Sequence, residues 1–172
     1  GETAIGKYPL ESVSLMHRVI DQSELYKRKN DISIVATNVN SAIPLAMADA
    51  IELICKESSV TKIVAITRSG FAAKTLSIRN LIQPILAVSD DEMAAKSFNL
   101  FPGVEGVFFP KKFPKDNLEH VISILKFLWD NKKIVDEDLI LLTAVGYPKS
   151  GNRMNMIQTH VVKDLATSLK WI

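Results

Sequence analysis

The loop at residues 67–70 carries the clearest chemical signal in the sequence. It follows a run of β-branched residues and precedes a helical pattern. Gly70 permits a tight turn. The hydroxyls of Thr67 and Ser69 and the first amides of the helix offer hydrogen-bond donors, and Arg68 adds positive charge. Together these groups suit a phosphate. An ordinary strand-to-helix turn with a capping serine explains the local sequence at least as well. The candidate phosphate-binding residues are Thr67, Arg68, Ser69, Gly70, Phe71 and Ala72.

A second loop, residues 146–151, has glycine at both ends and follows another apolar run. Lys149 and Ser150 could contact a ligand if the loop closes over a site, which would make it a mobile flap. The alternative is an ordinary hairpin connection, and the sequence alone favours it. The candidate effector loop consists of Gly146, Tyr147, Pro148, Lys149, Ser150 and Gly151.

No catalytic or metal-binding constellation is evident elsewhere. Cys55 and His17 lie on apolar helical faces and are expected to be packing residues. The single cysteine excludes an intrachain disulfide and a cysteine-cluster metal site. The acidic groups at 90–92 and 136–138 fit a helix cap and a solvated turn better than a metal site. The lysines between 111 and 115 favour a solvated loop, with contact to a phosphorylated ligand as the alternative.

Length and composition indicate an ordinary globular domain. The chain has 172 residues, of which 47% are hydrophobic and 23% charged, with a formal net charge of +2. That balance argues against nucleic acid or a membrane as partner, and no apolar run is long enough to span a bilayer. No signal peptide is present, so we expect a cytoplasmic protein. The chain begins with Gly1, which suggests a piece of a longer protein.

Strand and helix patterns alternate along most of the chain. Short, nearly continuous apolar strands separated by helices predict a mostly parallel sheet covered on both faces, a three-layer α/β/α sandwich of about five strands. Ligands bind beyond the carboxyl ends of such strands, where both candidate loops lie. Strands are predicted at 62–67, 84–88, 106–109, 139–143 and 156–162, with a weaker one at 32–36. Helices are predicted from Pro9, at 41–57 with Asn40 or Ser41 as cap, after Gly70, after 89–92, and at 118–131, the longest, opened by Asp116.

Several of these segments resemble the C-terminal part of pyruvate kinase. Residues 1–4 and 6–13 are similar to the segment that closes the last unit of that family's catalytic (β/α)8 barrel. Residues 62–70 resemble its strand and phosphate loop. The remaining similar segments, in the same order, are Pro84–Val88, Asp138–Thr143 and Ser150–Val162.

The resemblance implies a parent enzyme that transfers phosphate from phosphoenolpyruvate to ADP, using Mg2+ and K+ bound on the barrel. Because a barrel site is assembled from many strand ends, these 172 residues are expected to be inactive and to hold no cofactor of their own. In several lineages of the family this domain binds allosteric phosphosugars or nucleotides, with the phosphate on the loop matching 67–72 and the loop matching 146–151 closing over it. The domain also supplies one interface of the family's homotetramer. Within the predicted sheet, the last strand is expected to be antiparallel.

The sequence departs from the family at the candidate site. Many relatives carry a polar or basic residue and then a hydroxyl where Phe71 and Ala72 stand, so effector binding should be weakened or altered. No arginine matches the contact to a sugar's second phosphate.

The expected division is residues 1–21 as a remnant of the barrel's last βα unit, 22–31 as a linker, 32–162 as the C-terminal domain and 163–172 as a tail. We therefore expect a regulatory and oligomerisation domain that depends on a catalytic barrel. The alternatives are a free-standing phosphosugar- or nucleotide-binding domain and a purely structural subunit-contact domain. Residues 1–20 favour the first, since a free-standing protein has no reason to keep a barrel's closing segment.

Overall fold

The computed structural model describes residues 3, 5–29, 42–79, 81–114, 117–145 and 154–171. The chain divides into two compact units, residues 1–35 and 36–172. The predicted strand at 32–36 and the predicted caps Asn40 and Ser41 lie outside the described residues.

The first unit is built around one helix, α1 (Pro9–Lys29). Proline suits the first helical position because its missing N–H would have no partner there. Helix α1 continues to Lys29 and so includes most of the predicted linker at 22–31, whose role as a linker stays a prediction. The hydrophilic residues there include Glu, Lys, Arg and Gln, which are good helix formers, so polarity alone did not indicate coil. His17, predicted to pack, is exposed.

The second unit contains a five-stranded sheet in the order β3-β2-β1-β4-β5. The pairs β1–β2, β1–β4 and β2–β3 are parallel and β4–β5 is antiparallel, so the predicted sheet and its antiparallel last strand are confirmed. The elements are α2 (Ala42–Glu57), β1 (Lys62–Ile66), α3 (Phe71–Ser77), β2 (Ile85–Ser89), α4 (Glu92–Phe98), β3 (Val104–Phe108), α5 (Glu119–Asp130), β4 (Leu139–Ala144), β5 (Met156–Val161) and α6 (Val162–Ser168).

Side chains of β1 alternate between two cores, one on each face of the sheet. Val64 packs in a cluster with Ile124 and Leu128 of α5. Ile63, the neighbouring residue, packs instead with residues of α2 and α3, among them Ile51. Burial on both faces explains why the parallel strands are nearly continuous apolar runs. The three-layer architecture predicted from those runs is confirmed.

Helix lengths differ from the prediction at two places. The helix predicted to be the longest, α5, has 12 residues, whereas α1 has 21 and α2 has 16. The hydrophilic second half of α1 concealed its length. Asp116, predicted to open α5, lies outside the described residues, and the Asn117 side-chain oxygen accepts from the Glu119 N–H at 3.1 Å.

The predicted tail, residues 163–172, mostly belongs to the folded unit. Helix α6 covers Val162–Ser168, and the Trp171 ring lies 5.9 Å from the Trp129 ring, centroid to centroid. Trp129 in turn donates from Nε1 to Asp136 Oδ1 at 2.9 Å. The division of the chain into four segments otherwise stays a prediction.

Strand β3 lies at one edge of the sheet, under α4. The Gly106 N–H donates to Asn99 Oδ1 at 3.0 Å, and the Val104 N–H donates to the Phe101 carbonyl at 3.3 Å. A Cβ atom at Gly106 would lie 1.8 Å from the Ala95 carbonyl oxygen. Glycine at this position therefore lets the helix backbone approach the strand closely.

Candidate anion site at the carboxyl edge of the sheet

The loop after β1 turns sharply into α3, and its geometry requires glycine. The Thr67 N–H still donates to the Val88 carbonyl at 2.9 Å, as a last contact with β2. Gly70 then adopts φ 73° and ψ 5°, in the left-handed region. A Cβ atom there would lie 2.5 Å from Cε1 of the buried Phe98 ring. Both the backbone angle and the neighbouring ring thus favour glycine.

The loop carries two hydroxyl side chains, Thr67 and Ser69. Ser69 is exposed and Thr67 is half-buried. Neither side chain forms a hydrogen bond with another described residue, and α3 has no side-chain cap. Ala72 is buried in the apolar cluster between α3 and the sheet, so its side chain contributes packing rather than a donor. Phe71 is half-buried.

Arg68 faces an acid inside the protein. Its Nε donates to both carboxylate oxygens of Asp90 at 3.2 Å, and its Nη2 lies 3.2 Å from Asp90 Oδ2. Nη2 also donates to the Phe113 carbonyl, and the guanidinium carbon lies 5.6 Å from the centre of the Phe113 ring. The cation expected to attract a phosphate is therefore paired with a carboxylate.

Asp90 is held firmly in its place at the end of β2. Oδ2 accepts the Phe113 N–H at 2.8 Å, and the Asp90 carbonyl accepts from Lys112 Nζ at 2.9 Å. Burial by itself raises the pKa of Asp90, but the Phe113 N–H, Arg68 and Lys112 outweigh it and hold the pKa below the ordinary 3.8. Asp90 is thus a buried, ionised carboxylate. The next residue, Asp91, caps α4 by accepting the Ala94 N–H at 2.8 Å, as predicted.

Arg68, Asp90 and their neighbours line a cleft of about 480 Å³ beside the loop. Sequence reasoning missed this group, because it assigned Asp90 to a helix cap and the lysines to a solvated loop. One signal could have found it: β1 and β2 are parallel neighbours, so an arginine after one and an acid after the other must lie close together. The lining residues are Arg68, Asp90, Asp91, Ala94, Lys112 and Phe113.

The candidate effector loop, residues 146–151, lies outside the described residues. It follows β4, which pairs with β1 and ends at Ala144. Among the residues that the structure does describe, no group of three or more histidine, cysteine or acidic side chains could hold a metal ion. None of the described helices has the length and apolar character needed to cross a membrane.

Comparison with known proteins identifies this architecture. The family model for the pyruvate kinase alpha/beta domain matches residues 45–160. The chain belongs to this family. The match includes β1 to β4, β5 as far as His160 and the loop at 67–72, and it confirms the resemblance found in the sequence.

Curated relatives extend the similarity to most of the chain. A pyruvate kinase of Bacillus licheniformis is 29% identical over 168 residues, covering 96% of this chain and 28% of the relative. One of Staphylococcus aureus (strain MRSA252) is 30% identical over 170 residues, covering 95% and 28%. One of Agrobacterium vitis is 36% identical over 107 residues, covering 62% and 22%. The chain thus spans between 22% and 28% of the length of these relatives.

Proposed function

We propose that this chain is the regulatory and subunit-contact domain of a cytoplasmic pyruvate kinase, which transfers phosphate from phosphoenolpyruvate to ADP in glycolysis. The match to the family over residues 45–160 supports this assignment. The catalytic residues, with Mg2+ and K+, would lie on a barrel matching the parts of the relatives that this chain does not cover. The domain itself would act by binding an effector and by contacting other copies in a homo-oligomer, as in the family's tetramer.

The proposed effector site is the loop at 67–72, which would bind a phosphate group of a small-molecule effector. The observation that carries this proposal is a pair of hydroxyls, Thr67 and Ser69, that bond to no described residue and follow the carboxyl end of a central parallel strand. Ligands of open parallel sheets bind at that end. The loop at 146–151 would cover the ligand, since it follows the neighbouring strand.

A purely structural role in subunit contact is the second candidate. It is favoured by the pairing of Arg68 with Asp90 and by Phe71 and Ala72, whose side chains offer no polar group to a phosphate. A free-standing ligand-binding domain is less well supported. Helix α1 exposes apolar side chains such as Leu10 and Ile20, as expected for a segment that packs on another part of a longer protein.

Isothermal titration separates the candidates. The ligands are fructose 1,6-bisphosphate, ribose 5-phosphate and AMP, tested on the wild-type chain and on Ser69→Ala. Effector binding predicts weak affinity for at least one ligand and its loss in the variant. Ser123→Ala, which removes an exposed hydroxyl from α5, is the matched control and should bind as the wild type does. Equal affinity in wild type and Ser69→Ala would leave the loop as a turn and favour the structural role.

A further inference from the structure

The cleft beside the loop contains a carboxylate, Asp90, that is paired with Arg68, the cation of the proposed site. Arg68 donates to Asp90 through Nε and Nη2, which is how a guanidinium would hold a phosphate. We propose that the Asp90 carboxylate competes with phosphate for Arg68. A phosphate group would bind the Arg68 guanidinium only by replacing Asp90 as its ion-pair partner. This inference rests on the proposed function and adds the regulation of the same site.

The two partners are held unequally, and this decides which one moves. The Asp90 side chain is 4% exposed and is fixed by the Phe113 N–H, while its backbone carbonyl is held by Lys112. The Arg68 side chain is 45% exposed and lies on the wall of the cleft. A ligand would therefore draw the guanidinium outward and leave the carboxylate in its place.

Among the described residues, the lining of the cleft carries two cations, Arg68 and Lys112, and two carboxylates, Asp90 and Asp91. The charges of these four groups cancel. A phosphate that enters the cleft is attracted by the two cations and repelled by the two carboxylates. The attraction and the repulsion largely offset each other. The wild-type site thus responds only at high concentration of a phosphorylated ligand. Removing the competing carboxylate should lower that concentration.

Asp90→Asn tests the competition directly. Asparagine keeps an oxygen that accepts the Phe113 N–H but removes the charge that holds Arg68. Titrated with inorganic phosphate and with ribose 5-phosphate, this variant should bind roughly tenfold more tightly than the wild type. Asp91→Asn is the matched control, because it removes the adjacent charge and asparagine remains a good helix cap. Its gain should stay below about threefold, since Asp91 forms no ion pair with Arg68.

A second variant assigns the gain to Arg68. The double variant Arg68→Gln/Asp90→Asn should lose the added affinity, because that affinity comes from the contact between phosphate and the Arg68 guanidinium that Asp90 no longer holds. A gain that persists without Arg68 would contradict the exchange. The Arg68 Nε–H resonance in the wild type provides a readout that needs no variant. It should shift as phosphate saturates the site.

The possible failures are distinguishable. If the wild type binds phosphate and Ser69→Ala abolishes this, but Asp90→Asn gains no more than Asp91→Asn, the competition is wrong and the phosphate loop stands. An Arg68 resonance that stays unchanged while phosphate saturates the wild type would overturn the competition in the same way. If neither the wild type nor Asp90→Asn binds at tens of millimolar phosphate, the proposed effector site and the competition both fail.

Discussion

The two ends of the sheet each carry a buried aspartate paired with a cation from β1 or its following loop. At the amino end, Asp138 accepts from Lys62 Nζ at 2.7 Å and from Thr61 Oγ1 at 2.7 Å. At the carboxyl end, Asp90 pairs with Arg68. In both, burial raises the pKa of the aspartate, while hydrogen bonds and the cation outweigh it and lower the pKa.

The difference between the ends lies in the surroundings of the cation. Lys62 is 25% exposed and has a second acceptor in the Lys133 carbonyl, at 3.0 Å. Asp138 Oδ2 accepts the Val135 N–H as well, at 2.8 Å, so this pair joins the start of β1 to the connection between α5 and β4. Arg68 is 45% exposed and borders a cleft. A lowered aspartate pKa therefore does not mark a ligand site by itself, and the two ends differ in the accessibility of the partner cation.

The largest expected effect is the loss of stability when the amino-end pair is broken. Asp138→Asn should lower the free energy of unfolding by about 3 kcal/mol, because it leaves Lys62 without its counter-ion and turns an amide toward three donors. Asp90→Asn should cost only about 1 kcal/mol, since the exposed Arg68 can be hydrated. Urea unfolding measures both. Glu137→Gln, which removes an exposed charge next to Asp138, is the control and should be neutral. If Asp138→Asn and Asp90→Asn lowered the free energy of unfolding equally, the proposed difference between the two ends of the sheet would be wrong.

A smaller effect is expected from two described glycines with positive φ, Gly70 and Gly103, which lie at opposite ends of the sheet. Gly70→Ala should cost about 2 kcal/mol, from the left-handed backbone and the clash with the Phe98 ring. Gly103→Ala, at φ 68° before β3, is a matched control, because its Cβ would meet open space. It should cost about 1 kcal/mol, from the backbone alone. Thermal unfolding of the pair isolates the contribution of Phe98, and indistinguishable midpoints would show that the ring moves aside freely.

The smallest effect is on the pH dependence of stability. A carboxyl whose pKa is lower in the folded than in the unfolded chain contributes stability above its ordinary pKa, here 3.8, and loses it as the pH falls through the folded value. The free energy of unfolding of the wild type should thus decrease from about pH 5 to about pH 3. Asp138→Asn should show a shallower decrease over the same interval, and Glu137→Gln should follow the wild type. An identical slope in Asp138→Asn would mean that Asp138 titrates normally in the folded protein.

Local sequence predicted the sheet well and the ion pairs poorly. The run at 62–67 placed β1 to within one residue, because β-branched residues and burial on both faces reinforce each other there. The Arg68–Asp90 pair joins residues 22 positions apart, and only the order of the strands makes them neighbours. The end of α1 was missed for the opposite reason: its residues are polar, yet they favour a helix without needing a core.

The arrangement of α4 against β3 affects how the molecule behaves among its own copies. Edge strands with unpaired N–H groups invite another strand to add, which leads to aggregation. On β3 the outward amides of Val104 and Gly106 are occupied by the Phe101 carbonyl and the Asn99 side chain. An incoming strand would find these two donors taken and would have to displace Asn99 to pair. Addition of a strand at these two positions is thereby hindered, which limits growth of the sheet along this part of its edge at high protein concentration.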